Sequence, residues 1–214
     1  MADTLGNIQS LIDAANRTTG REDRDMTAAA KSLMAGFCGS YPGDTTLEEF
    51  LTNGRRIINH TATELRPAVF SNDHDAGLLT EARFYALEKI PSFCFRLNRE
   101  LSTVDFPVCR EIGQEGLEYC AMPRVELPRV EKIGNYAFYD VTELETLILR
   151  GATAAQLQGP AGEVFHETKI IAGLGYVYVP GRLVEQYRKA TNWMAIAAQI
   201  RAIEDYPEIT GGGK

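Results

Sequence analysis

Long apolar runs are absent from this chain of 214 residues, and nothing in it approaches the stretch of about 20 needed to span a membrane as a helix. Basic residues are in deficit: 22 Lys and Arg stand against 29 Asp and Glu, for a net charge of -7. That balance excludes nucleic acid and an anionic membrane surface as partners, because both require a basic face to displace counterions. Histidine is sparse, and His60, His74 and His166 are dispersed with no serine or cysteine beside any of them. The four cysteines, Cys38, Cys94, Cys109 and Cys120, lack metal-site spacing. The first ten residues have neither the positive start nor the apolar block of a secretory signal. The expectation is therefore a protein made and kept reduced in a cytoplasm.

Local strings that resemble ligand sites fail on context. Ala172-Gly-Leu-Gly175 precedes a strand pattern and not a helix, so it does not read as a dinucleotide loop. The terminal Gly-Gly-Gly-Lys214 lacks the spacing and following hydroxyl of a phosphate loop. Asp73-His74-Asp75 reads as a solvated loop tip. The expectation is no catalytic residue, no metal and no cofactor.

What the chain does have is a repeat of 21 to 22 residues. Val104-Asp-Phe-Pro-Val-Cys-Arg-Glu-Ile-Gly113 superposes on Val125-Glu-Leu-Pro-Arg-Val-Glu-Lys-Ile-Gly134 at an offset of 21. Ala82-Arg83-Phe84 lies 22 residues before Val104, Leu147-Ile148-Leu149 follows 22 after Val125, and Val177-Tyr178-Val179-Pro180 resumes the pattern after an irregular insertion. Leu65 and Phe70 keep the spacing of Ile133 and Phe138. So short a unit cannot bury its own apolar side, and stacked copies must share one core. Strands are predicted near Ala82, Val104, Val125, Leu147 and Val177, paired in parallel. The same frame places Cys109 and Cys120 on Val130 and Val141, as small buried hydrophobes.

The motif Ile133-Gly134-Asn135-Tyr136-Ala137-Phe138, together with Ile112-Gly113, Gly116-Leu117 and the closing Tyr176-Val-Tyr-Val-Pro180, resembles the BspA type of leucine-rich repeat. The likeness implies an α+β chain: a parallel solenoid over 55–180 with a C-terminal helical cap over 181–206. An open solenoid end exposes a layer of core and requires such a cap. Leu183, Val184, Tyr187 and Ala190 form one apolar stripe for it; Trp193, Ile196, Ala197, Ile200 and Ile203 form another, with the single Trp as a packing anchor. Residues 207–214 read as a mobile tail.

Before the repeats, Leu5, Ile8, Leu11 and Ile12 recur at helical spacing, and Met26, Ala30, Leu33, Met34 and Phe37 mark a second helix. Residues 1–38 thus read as a helical hairpin, joined by a linker and short helix over 39–54. Asn7 to Asn16, Thr18-Thr-Gly20 and Ala28 to Gly36 resemble the helical leader of phage and prophage tail-associated proteins of gram-positive gut bacteria. That resemblance implies a virion component, with the Leu5, Ile8, Leu11 and Ile12 stripe docking to other virion proteins or to a second copy of the chain.

Residues between the inward pairs should face outward from the solenoid sheet: Arg83, Asp105, Glu126, Ile148 and Tyr178, flanked by Tyr176. Aromatics beside charges suit a protein or glycan of a bacterial surface. A solvated sheet whose tyrosines lie against the cap is the alternative. The functional expectation is a non-enzymatic virion component for assembly or host adhesion, with a bacterial repeat adhesin or interaction scaffold as the second reading.

Overall fold

A computed structural model describes residues 56–72 and 79–211. The expected helical leader, its stripe Leu5, Ile8, Leu11 and Ile12, and Cys38 lie outside the described residues. Within them the repeat sets the architecture. The strands β1 (Arg56–Asn59), β2 (Glu81–Phe84), β4 (Thr103–Asp105), β6 (Arg124–Leu127), β8 (Thr146–Leu149), β10 (Tyr176–Val179) and β11 (Ile200–Ala202) lie side by side in chain order, and every hydrogen-bonded pair among them is parallel. The register repeats the sequence offset, with Ala82 opposite Val104 and Val125 opposite Leu147.

The ladder is interrupted once, between β4 and β6, which separates a sheet of three strands from one of four. Pro123 explains the break. Ser102 and Thr103 both donate to the carbonyl of Thr80, and Glu145 and Thr146 both donate to that of Pro123. The equivalent first donor between β4 and β6 is residue 123, and proline has no N–H to give.

A second parallel ladder joins β3 (Lys89–Ile90), β5 (Glu111–Ile112), β7 (Lys132–Ile133) and β9 (Gln156–Leu157). β9 lies in the stretch that reads as an irregular insertion, so the repeat runs through it. The Ile-Gly motif belongs to this ladder. A Cβ on Gly134 would stand 2.5 Å from the carbonyl carbon of Gly113, and one on Gly113 would stand 2.5 Å from the Ser92 amide nitrogen. Successive backbones touch here, and only glycine fits between them.

The third side is a ladder of turns. Phe93, Phe95 and Leu97 donate amides to the carbonyls of Gln114, Gly116 and Glu118, and Glu115, Leu117 and Tyr119 repeat this toward Asn135, Ala137 and Tyr139, at 2.8 to 3.1 Å. Phe93, Leu97, Glu115, Tyr119 and Asp140 all have positive φ, and the amide of each donates to the next turn. A left-handed residue costs about 1 to 2 kcal/mol, which a hydrogen bond to the neighbouring repeat offsets here.

The three ladders enclose one core. Phe70, Phe84, Phe95 and Phe106 stack along it with ring centroids 5.2 to 6.2 Å apart, and Phe138 lies on Phe165 at 5.6 Å. Cys94, Cys109 and Cys120 are buried free thiols in the same core. At the C-terminal end Trp193 donates its indole N–H to the Ala155 carbonyl at 2.9 Å, and the Ala155 amide donates to the Tyr187 hydroxyl at 2.8 Å, so two cap aromatics satisfy one residue of the last turn. The cap departs from expectation beyond Gln199. α2 (Val184–Lys189) and a 3-10 stretch over Thr191–Gln199 are helical, but Ile200 and Ile203 do not continue one helical stripe. The chain extends into β11 and pairs with β10, which would otherwise be an open edge.

Candidate functional site

The outward sheet row holds two different surfaces. Its N-terminal half is charged and internally paired. Glu81 bonds to both Arg56 and Arg83, and although burial opposes ionisation, those two guanidinium groups hold its carboxyl below the ordinary value. Burial raises the Asp105 carboxyl, with Glu126 adding to the rise and Arg83 opposing it. Asp105 and Glu126 stand on β4 and β6, the two strands that flank the break in the ladder. Glu126 accepts from Arg150 at 2.6 Å and lies 3.6 Å from Arg124. The carboxylates of Glu81 and Glu126, already satisfied by neighbouring arginines, have little to offer an incoming ligand.

The C-terminal half of the row is covered. Ile148 is 0% exposed and Tyr178 8% exposed, because Ile203, Tyr206 and Ile209 pack over them. Sequence analysis places Ile148 and Tyr178 on an outward face, either open to a ligand or with the tyrosines against the cap, and 207–214 in a mobile tail; the covered state of Tyr178 agrees with the second of these alternatives. The structure instead makes α3 (Pro207–Thr210) from the tail and lays it on that face. Tyr176 remains at the rim, partly exposed, with the Arg201 guanidinium 4.6 Å from its ring centroid. The reason is energetic: an isoleucine and a tyrosine on the outer face of a sheet gain by burial against any apolar segment within reach.

The turn side carries a surface that the sequence reading missed. Tyr119, Tyr136, Tyr139 and His166, all partly exposed, come from three successive turns. Tyr139 stacks on His166 at 4.5 Å with an interplanar angle of 8°, and meets the edges of Tyr119 and Tyr136 at 5.9 and 5.6 Å. Arg99 places its guanidinium 4.8 Å from the Tyr119 ring. The row continues into the ion pair of Arg96 with Glu118, at 2.7 Å. Burial, aided by Glu115 and opposed by Arg96, pushes the Glu118 carboxyl up to about 7. The signal was present as an offset of 21 between Glu118 and Tyr139, but it becomes visible only once the turn ladder is known. Among the described residues no group of three or more His, Cys, Asp or Glu is placed to hold a metal, and no helix is long and apolar enough to cross a membrane.

Residues 58–171 match the family model described as BspA type leucine rich repeat region, in six copies that cover more than half of the chain. The chain belongs to the BspA-type leucine-rich repeat family. No curated protein and no solved structure matches it. BspA-type repeats are a binding and scaffolding architecture, and in this member two kinds of surface could serve: the turn-side aromatic row and the sheet face under α3. Neither the aromatic row nor the strapped face is required by the enclosed core; both sit on its outside.

Proposed function

We propose that this BspA-type repeat chain is a non-enzymatic binding protein, an adhesive or scaffolding module that holds a protein or glycan of a bacterial surface against its turn side. The row of Arg99, Tyr119, Tyr136, Tyr139 and His166 carries this reading. Tyrosines fixed by a rigid backbone give a large amphipathic contact area with little ordering cost on binding, and their hydroxyls stay available for hydrogen bonds. The test is attachment of the labelled protein to bacterial cells. Replacing Tyr119 and Tyr139 with Ser should weaken attachment about tenfold or more, the effect of losing ~1.4 kcal/mol, while the unfolding midpoint stays near that of the unsubstituted chain. Equal attachment by the double variant refutes the assignment.

A finer reading places the protein in a phage or prophage virion, in the tail or another appendage. It rests on the resemblance of residues 1–38 to tail-associated leaders, with Leu5, Ile8, Leu11 and Ile12 as the docking stripe. Deleting residues 1–38 should leave a folded repeat body that no longer incorporates into particles. Particles that still carry the truncated protein would refute docking through this segment.

A further inference from the structure

The cluster of Ile148, Tyr178, Ile203 and Ile209 is separate from the enclosed core, with the β8 and β10 strands between them. Within it, Tyr206 meets Tyr178 edge to face at 5.1 Å and Ile209 is 4% exposed. Arg150, anchored by Glu126, donates to the backbone carbonyl of Ile209 at 2.6 Å. The amides of Tyr206 and Ile209 bond back along their own segment, to the carbonyls of Ile203 and Tyr206, and not to the sheet strands beneath. Thr210 likewise turns its hydroxyl back on the Tyr206 carbonyl at 2.8 Å. The strap adds no strand to the sheet. Among the described residues it is held by an aromatic ring, a branched side chain three positions later and one main-chain carbonyl, all of which a foreign peptide can supply.

We propose that the outer face of β8 and β10 around Ile148 and Tyr178 is a docking groove for a linear peptide segment carrying an aromatic residue and, three positions on, a branched aliphatic one, and that the chain's own Tyr206–Ile209 strap occupies it until displaced. The strap defines the ligand class, since it is a peptide of that pattern already seated. Arg150 reads a main-chain carbonyl that every peptide has, so selectivity lies in the two side-chain slots. A tethered occupant raises the threshold for any competitor, because its effective concentration at the groove is high. This groove lies on a different side of the solenoid from the tyrosine row, so the failure of either surface leaves the other standing.

The full chain and its Ile209→Asp variant test the proposal, with a fluorescent peptide of the sequence Ile203 to Gly211 as probe. A carboxylate at 209 cannot be buried on Ile148, so the strap lifts and the groove opens. Fluorescence anisotropy should show the variant binding the probe at least about tenfold tighter than the unsubstituted chain. A probe with Ser in place of its Tyr and final Ile should not bind, and adding Arg150→Ala should weaken the gain. Equal affinity of variant and unsubstituted chain, or equal binding of the Ser probe, overturns the groove. Loss of folding in Ile209→Asp overturns it too, since the strap would then be part of the fold. Hydrogen exchange on the unsubstituted chain gives an independent reading: the amides of Tyr206 and Ile209 should exchange ahead of those of β10, and concerted exchange refutes a displaceable strap.

Discussion

Replacing Gly134 with alanine tests the stacking of repeats at its tightest point. The new methyl would stand 2.5 Å from the Gly113 carbonyl carbon, 2.6 Å from the Gln114 nitrogen and 2.8 Å from the Gly113 oxygen. Carbon atoms pack at roughly 3.5 to 4.0 Å, so one repeat must move about 1 Å against the next. The obstruction is backbone on both sides, and no side chain can swing away. The shift would stretch the Gly134 amide bond to Ile112 and the Gly113 amide bond to Ile90, both 2.7 Å, and loosen Ile112 and Ile133 in the core. Overpacking of this kind costs about 1 to 3 kcal/mol, and each weakened hydrogen bond adds up to about 1. The smaller entropy of the unfolded alanine chain returns only about 0.4 to 1 kcal/mol. The expected net loss is about 2 to 3 kcal/mol. Gly162 is the control: it lies in α1 (Ala161–Val164), a Cβ there meets nothing within 4 Å, and Gly162→Ala should raise stability by about 0.5 kcal/mol. Urea unfolding followed by circular dichroism reads both, with a lower midpoint for Gly134→Ala and an equal or higher one for Gly162→Ala. A Gly134→Ala midpoint at or above that of the unsubstituted chain, at unchanged slope, would refute the close approach of the backbones.

Phe138→Ala empties a fully buried layer against Phe165 and should cost about 3 to 5 kcal/mol in the same assay; a midpoint within error of the original contradicts the shared core. Cys109 and Cys120 should resist a thiol reagent until denaturant is added, because burial pushes the Cys109 thiol up to about 11 and that of Cys120 further still; rapid labelling of both in the native protein is the opposing result. Glu118 titrates near 7 in the fold against an ordinary 4.5, so the folded state binds its proton more tightly than the unfolded one. Its contribution is full below about 4.5 and is lost as pH rises through about 7, and stability should fall more steeply between about pH 5 and 8 in the parent than in Glu118→Gln. Parallel profiles for the two proteins would show that Glu118 is ionised throughout that range.

What the sequence determined by itself was the periodic part. A shared core forces apolar residues back to the same place in every turn, so an offset of 21 or 22 located the strands at Ala82, Val104, Val125 and Leu147, the burial of Cys109 and Cys120, and the family, while Val177, 30 residues after Leu147, was recognisable only by its apolar alternation and following proline. The Ile-Gly motif was legible for the same reason, although the backbone contact that demands glycine appears only in three dimensions. Pro123 was in plain view, yet its effect on the ladder depends on which amide the neighbouring strand needs. The surfaces were decided by tertiary structure alone. Tyr119, Tyr139 and His166 are 20 and 27 residues apart in successive steps, and only the turn ladder, built on left-handed residues that carry no glycine signal, brings their rings together. Ile148 and Tyr178 alternate outward from their strands as the pattern says, but alternation gives direction and not exposure. Whether an outward side chain meets water depends on what else folds over it, and here a segment 31 residues beyond Tyr178 does so because β11 delivers it to that face.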